Sequence, residues 1–176
     1  MGGDAVKDIT SKEIRLKSWP NGLPVPDDFE TAETVLPGAE DNQLLVRNVF
    51  MSVDPYMRGR LRPGKSYTAS FQLGEVLSGG AVGQVIESHV NGISEGDYVL
   101  NGSGFREYFI SDGSDLSVFD SGDVSPSAYL GVLGMPGLTA YTGLLKIGAA
   151  KPGETVYVSA AAGAVGSAVC QIAKIL

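Results

Sequence analysis

Gly153-Glu-Thr-Val-Tyr-Val-Ser-Ala-Ala-Ala-Gly-Ala-Val-Gly-Ser-Ala-Val-Cys-Gln-Ile-Ala-Lys-Ile-Leu176 decides how the rest of the chain is read. It opens with an apolar run, Thr155 to Ser159, rich in β-branched and aromatic residues. Such a run predicts one buried parallel strand. Very small residues follow, Ala160 to Gly166. From Ser167 to Leu176, Val169, Ile172, Ala173 and Leu176 recur at the spacing of one helix face. Strand, tight turn and helix together make the opening unit of a dinucleotide-binding sheet. The turn fits G-x-G-x-x-G, with Ala161 in the first place and Gly163 and Gly166 in the others. Gly163 would let the backbone approach a pyrophosphate, and Gly166 would let the helix close on the strand. The N–H groups around Ala164 and Val165 carry the positive end of the helix dipole toward an anion. The plainer alternative is that these small residues only pack tightly.

Working outward from this unit, a doubly wound sheet needs further βα units of roughly 25 to 30 residues each. A chain ending at Leu176 is therefore expected to hold only the start of one. The residue that would read the adenosine ribose, about 20 positions on, lies past Leu176.

The remaining residues set the context. The chain has 176 residues, 43% of them hydrophobic and 19% charged, with a net charge of −7. That balance is ordinary for a globular protein and supplies no basic stripe for nucleic acid. Arg58, Arg60, Arg62 and Lys65 form only a local cluster, read as a solvated turn or a contact for an anionic ligand. Cys170 is the single cysteine, so no internal disulfide can form. This fits a cytoplasmic setting, with Cys170 expected as core filling. No apolar run reaches membrane-spanning length, and the N-terminus carries no signal-peptide pattern.

The 24 glycines gather at turns, as in an all-β domain. Strands are predicted at Glu13–Leu16, Phe29–Leu36, Gln43–Val53, within Leu73–Ser88, at Tyr98–Leu100 and at Phe105–Ile110. A short helical turn is predicted at Tyr56–Leu61. Gly79, Gly80 and Gly83 suggest a bulge or a barrel corner. About seven short strands with turn signals between them predict a compact barrel or sandwich. After Asp115 the texture turns helical. A start is read at Ser125-Pro126-Ser127, then a helix Gly137–Lys146 with Pro136 at its first turn and Gly148 at its end.

Four stretches carry a resemblance: Ser52-Val53-Asp54-Pro55-Tyr56-Met57-Arg58-Gly59-Arg60, the Gly80–Glu87 segment ending Gly-Gln-Val-Ile-Glu, Gly134-Met135-Pro136-Gly137-Leu138-Thr139-Ala140-Tyr141, and Ser159 to Gly166. The chain resembles the zinc-independent medium-chain dehydrogenase/reductase group of alkenal/one oxidoreductases, which includes leukotriene B4 dehydrogenase, prostaglandin reductase and curcumin reductase. The likeness implies an α+β fragment: a GroES-like β-barrel substrate domain over residues 1–125, then linking helices and the first βα unit of a truncated Rossmann domain over 126–176. It implies NADP (NADPH) as cofactor and reduction of the C=C bond of an enal or enone by hydride transfer.

The resemblance also assigns roles. Tyr56 would donate a hydrogen bond to the developing enolate. Pro55, Met135 and Thr139 would line the nicotinamide, and Ala161, Gly163, Ala164, Val165 and Gly166 would hold the diphosphate. Tyr56 can also be an ordinary packed aromatic, and Thr139 a helix threonine bonded to its own backbone. Arg58 is expected to pair with Asp54. A tyrosine that some plant members carry near the glycine cluster is replaced here by Gly79 or Gly80, leaving Tyr67 or Phe71 to shape the pocket. Zinc ligation is not expected, since residues 1–125 contain no cysteine and His89 is the only histidine. Partners would be a small enal or enone and, at full length, a second copy in a homodimer. The chain ending at Leu176 is expected to be inactive and to self-associate through Val156, Val158, Val169 and Ile172. Two other readings remain: a quinone reductase of the same superfamily, and a non-catalytic β-barrel binding module.

Overall fold

A computed structural model describes residues 8–176. The chain divides into two compact units, one ending at Ser121 and one running Gly122–Leu176.

Among the described residues the first unit holds seven strands. β1 (Ile9–Leu16) and β2 (Phe29–Leu36) form an antiparallel pair with Leu16 opposite Phe29. The predicted alternation of β2 holds in its second half, where Ala32, Thr34 and Leu36 turn inward and Glu33 and Val35 outward. Asp28 closes the loop before β2. Its buried carboxylate accepts hydrogen bonds from Ser18 Oγ and Val25 N–H, both at 2.9 Å.

The other sheet joins β3 (Leu44–Met51), β4 (Ala81–Ser88), β5 (Tyr98–Asn101), β6 (Tyr108–Ser111) and β7 (Ser117–Phe119) in the order β6-β3-β4-β5-β7. Every ladder is antiparallel. Among the described residues no ladder joins β6 to β7, so the barrel expected from the sequence is not closed. β6 covers only Leu44–Arg47 of β3, and β7 is three residues long. The bulge read from the glycine cluster is present, as a shift in pairing between Asn48 and Phe50 opposite Gly83 and Val82.

Two apolar cores hold this unit. One gathers Leu16, Met57, Leu61, Phe71 and Leu77, with Trp19, Tyr56 and Phe105 packed on it. The other gathers Leu44, Val46, Val85, Val99 and Phe109. Each fully buried side chain of this kind contributes about 1.5–3 kcal/mol relative to exposure. Glu13 is buried but paired: Arg15 and Thr34 Oγ1 both donate to its carboxylate at 3.0 Å. Burial lowers the Arg106 guanidinium below its ordinary range, and the Glu13 charge opposes that shift.

In the second unit a short 3₁₀ turn, Pro126–Leu130, leads to α2 (Met135–Tyr141); the four-residue α1 (Met57–Arg60) belongs to the first unit. α2 continues as a π-helical segment, Thr142–Ile147, capped by Gly148. The helix expected over Gly137–Lys146 is thus two pieces with different pitch. α3 (Ala164–Ile175) ends the chain and packs on α2. The residues they bury are small: Gly137 and Ala140 on α2, Ala168 on α3.

The buried parallel strand expected at Thr155–Ser159 does not form. These residues join no ladder, and Tyr157 is 91% exposed. A parallel strand needs a neighbour for its N–H and C=O groups, and none is paired with it among the described residues. Cys170 is also a correction: it lies exposed on α3, not in a core. The turns of α3 that meet α2 turn Ala168 inward, two residues before it.

Candidate functional site

Three groups of sequence-predicted residues occupy three places. The first is the turn between β3 and α1. Ser52 Oγ donates to Asp54 Oδ1 at 2.9 Å, and Met57 N–H donates to the Asp54 carbonyl at 3.0 Å. The turn holds Pro55 exposed and Tyr56 half-buried at the helix start. The Tyr56 ring packs on the first core, and its hydroxyl makes no hydrogen bond among the described residues. Arg58 does not pair with Asp54, whose carboxylate is taken by Ser52; its guanidinium donates instead to the Gly22 carbonyl.

Gly79 lies beneath this turn. A Cβ there would overlap the Met57 methyl and sit 3.4 Å from the Phe105 ring. A bulky residue therefore cannot be added at Gly79 without moving Met57. Of the two aromatics expected to shape a pocket in its place, Phe71 is buried in the core under the Arg60 guanidinium, 3.9 Å from its ring. Tyr67 is 86% exposed. Arg60 also donates to the carbonyls of Ala69 (2.9 Å) and Ser78 (3.3 Å) and to Ser78 Oγ (3.0 Å). Sequence reasoning gave it no such role; the spacing of three acceptors across one loop leaves no local signature.

The second place is the exposed face of α2. Met135 and Thr139 stand one helical turn apart, and Thr139 Oγ1 donates to the Met135 carbonyl at 2.7 Å. Of the two readings open for Thr139, the bond to its own backbone is the one formed. Thr139 also borders a shallow hollow of about 380 Å³ with Leu138, Thr142, Gly143 and Ile147. Gly134 and Gly137 explain the neighbouring motif. A Cβ on Gly134 would strike the Tyr129 carbonyl, and one on Gly137 the Val132 carbonyl.

The third place is the start of α3. Ala160 has φ +51°, in the left-handed region that a side chain disfavours. Gly163 is the N-cap in extended conformation, its N–H bonded to the Ala160 carbonyl at 2.9 Å. A Cβ on Gly166 would overlap the Ala160 carbonyl and lie 3.0 Å from the Ala161 Cα. Gly166 is thus fixed by close packing of the helix on the turn, not on a strand as expected from the sequence. Gly163 differs: a Cβ there would meet only the Ala160 oxygen, at 3.2 Å. Ala161, Gly163, Ala164 and Val165 are all exposed. The first-turn N–H groups of Ala164 and Val165 have no acceptor inside the helix. Bare main chain, a dipole end and tiny side chains are what a diphosphate requires, so these residues fit such a group.

Among the described residues no three His, Cys, Asp or Glu side chains gather as a metal site. His89 pairs with Glu87 at 3.1 Å. No helix of the described residues is long and apolar enough to cross a membrane.

Residues 12–119 match the family described as the N-terminal domain of oxidoreductase. The chain belongs to the medium-chain dehydrogenase/reductase family. Within it the likeness is to the alkenal/one oxidoreductases. The chain is 47% identical over 160 residues to the NADPH-dependent curcumin reductase of Escherichia coli, covering 91% of this chain and 46% of that protein. It is 40% identical over 176 residues to the NADP(+)-dependent 2-alkenal reductase of Nicotiana tabacum, covering 97% and 51%. Among solved structures, CurA from Vibrio vulnificus in complex with NADPH superposes with a TM-score of 0.83 at 43% identity, covering 93% of this chain and 49% of that one. The chain thus spans about half the length of the medium-chain reductases it matches.

Proposed function

We propose that this chain contributes to an NADPH-dependent reductase that reduces the C=C bond of α,β-unsaturated aldehydes and ketones without a metal, when joined to the further length its relatives carry. The observation that carries the reading is the start of α3. There Gly166 is packed against main chain while Gly163 and its neighbours stay open. Tight packing alone accounts for Gly166 but not for an exposed run of tiny residues over free N–H groups. The NADPH-dependent names of relatives that cover nearly all of this chain support the same cofactor.

On this reading residues 1–125 form a GroES-like substrate domain, and 126–176 the linking helices and the first part of a Rossmann domain. A nicotinamide bound there would supply a hydride to the β-carbon of the substrate, and a proton from solvent would complete the reduction at the α-carbon. Ala161, Gly163, Ala164, Val165 and Gly166 hold the diphosphate through backbone N–H groups. Met135 and Thr139 line the nicotinamide, with Thr139 exchanging its bond to Met135 for a bond to the cofactor. Tyr56, half-buried and with an unengaged hydroxyl, donates to the carbonyl oxygen as charge builds there. Pro55 stiffens the turn that aims it. The working protein is a cytoplasmic homodimer.

The test is a titration of the chain, and of the longer polypeptide, with NADPH, followed by assays with an enal and with a quinone. NADPH binding that is weakened at least tenfold by Gly163→Val, with faster turnover of the enal, is the expected result. Turnover of the quinone alone would give the site to a quinone reductase. No interaction with reduced nicotinamide nucleotides in the longer polypeptide would end the reading.

A further inference from the structure

Asn48 and Asn101 have no part in the assignments above, yet their side chains join two strands and a loop of the first unit. Asn48 lies on β3 and Asn101 on β5, with β4 between them. Their amides meet over Gly83, which stands opposite Asn48 in the ladder. Asn101 Nδ2 donates to Asn48 Oδ1 at 3.0 Å. A Cβ on Gly83 would lie 3.3 Å from Asn101 Nδ2 and overlap Val46 Cγ1. The bare Gly83 backbone leaves room for Val46 Cγ1 and keeps the space beside the amide pair open.

The other hydrogen bonds these two side chains make all go to one loop. Asn48 Nδ2 donates to the carbonyls of Ser103 and Arg106, both at 2.9 Å. Asn101 Oδ1 accepts from Ser103 N–H at 2.8 Å. The pair therefore grips both ends of the 103–106 segment. Within it Phe105 has φ +65°, a left-handed conformation costly for a bulky residue. The loop is also bonded to Gly79 from both sides, through Gly79 N–H to Gly102 O and Gly104 N–H to Gly79 O, each 3.0 Å. Phe105 and Gly79 form the slot that holds the Met57 methyl. Met57 in turn ties the turn that bears Tyr56: Asp54 N–H donates to Met57 Sδ at 3.5 Å.

We propose that Asn48 and Asn101 are a positioning pair for Tyr56, acting through the Phe105–Gly79 slot and the Met57 side chain seated in it. This rests on the reading of Tyr56 as the hydrogen-bond donor to substrate. The pair acts at one remove: it fixes the loop against which Met57 seats, and Met57 and the Tyr56 ring together hold the Asp54–Met57 turn to the core.

The experiment uses the chain labelled with 3-fluorotyrosine, and reads its seven tyrosines by fluorine NMR. Tyr56→Phe assigns the Tyr56 signal. Tyr98, whose ring stacks on Phe119 with centroids 6.1 Å apart, is the internal control. In Asn101→Asp the donor to Asn48 is lost and two oxygens face each other. The Tyr56 signal is expected to shift or broaden at neutral pH while Tyr98 keeps its position. Acidification is expected to restore it, because a protonated Asp can donate to Asn48 Oδ1. The introduced carboxyl has a raised pKa, since burial and the facing oxygen both disfavour its charge. The restored state is therefore complete at low pH and lost as pH rises through that pKa. A general loosening of the fold would not reverse in this direction at one tyrosine alone.

Met57→Leu, a volume-conserving change, is the second variant. It removes the sulfur acceptor and is expected to move the Tyr56 signal without Asn101 being touched. If Asn101→Asp unfolds the chain, all seven signals move together and Met57→Leu decides. A Tyr56 signal unmoved by Met57→Leu, or unmoved by Asn101→Asp in a folded chain, overturns the proposal. In the longer reductase, Asn101→Asp is expected to lower kcat at least tenfold with KM nearly unchanged, the pattern of a misaimed group. If Tyr56→Phe costs no turnover, the functional reading fails while the NMR result still stands or falls by itself.

Discussion

β4 and the segment Thr155–Ser159 are written in similar letters, yet only one is a strand. Both are short and rich in valine. β4 lies between β3 and β5, with Val82 and Val85 almost wholly buried. Thr155–Ser159 has no ladder, and Val156 is 37% exposed. The difference teaches that an apolar β-prone run is an offer to pair, and that the neighbours determine whether it is taken up. Propensity measured on a half-buried surface is mostly packing.

The comparison can be broken most directly in the core. Leu44→Ala, on the strand beside β4, is expected to cost about 2–5 kcal/mol in urea unfolding. Val156→Ala is expected to stay within about 0.5 kcal/mol. Equal costs would mean that Thr155–Ser159 packs in solution as β4 does. Next comes the turn after that segment. Gly166→Ala should cost about 1–3 kcal/mol through overlap with the Ala160 carbonyl, seen as faster amide exchange in α3. Gly163→Ala should cost less than about 1 kcal/mol, the ordinary difference at an N-cap. If the order reverses, close packing governs Gly163 and the anion reading weakens.

Arg60→Ala tests whether the Arg62–Ser70 loop of the first unit is as well held as the sheet. Loss of its three hydrogen bonds and its place over Phe71 should cost about 1–2 kcal/mol, with exchange rising in that loop before β4. The smallest effect is expected at Ala160. Ala160→Gly relieves the left-handed strain and loosens the unfolded chain, so the gain should lie between zero and about 1 kcal/mol.

Much of this was legible where a residue's environment is local. Phe29–Leu36 could be bounded to the residue, because its alternation starts at Phe29 and Pro37-Gly38 stops the strand. Gly148 was readable as a helix end for the same reason. Gln43–Val53 was read too long: β3 ends at Met51, and past it only the Ser52 N–H still reaches the Gly80 carbonyl while its hydroxyl turns to Asp54. β7 was missed, because Ser117–Phe119 is three residues whose pairing depends on distant Tyr98–Leu100. Cys170 was misplaced because helical periodicity gives a face and not what covers it. The small-residue turn and the helix after it were legible, though not the unpaired approach to them; Asn48 and Asn101 were not. They are 53 residues apart, and nothing in either strand announces the other.

Gly83 has a consequence for how the chain avoids error. If β4 slid by one residue, Val82 or Gln84 would enter the gap where the two amides now touch. With Val82 there, Asn101 Nδ2 and Asn48 Oδ1 would lose each other while their bonds to the 103–106 loop remained, at about 1–3 kcal/mol for a buried group left stranded. The absent side chain therefore works as a proofreading mark, penalising a misaligned sheet while it is still free to come apart.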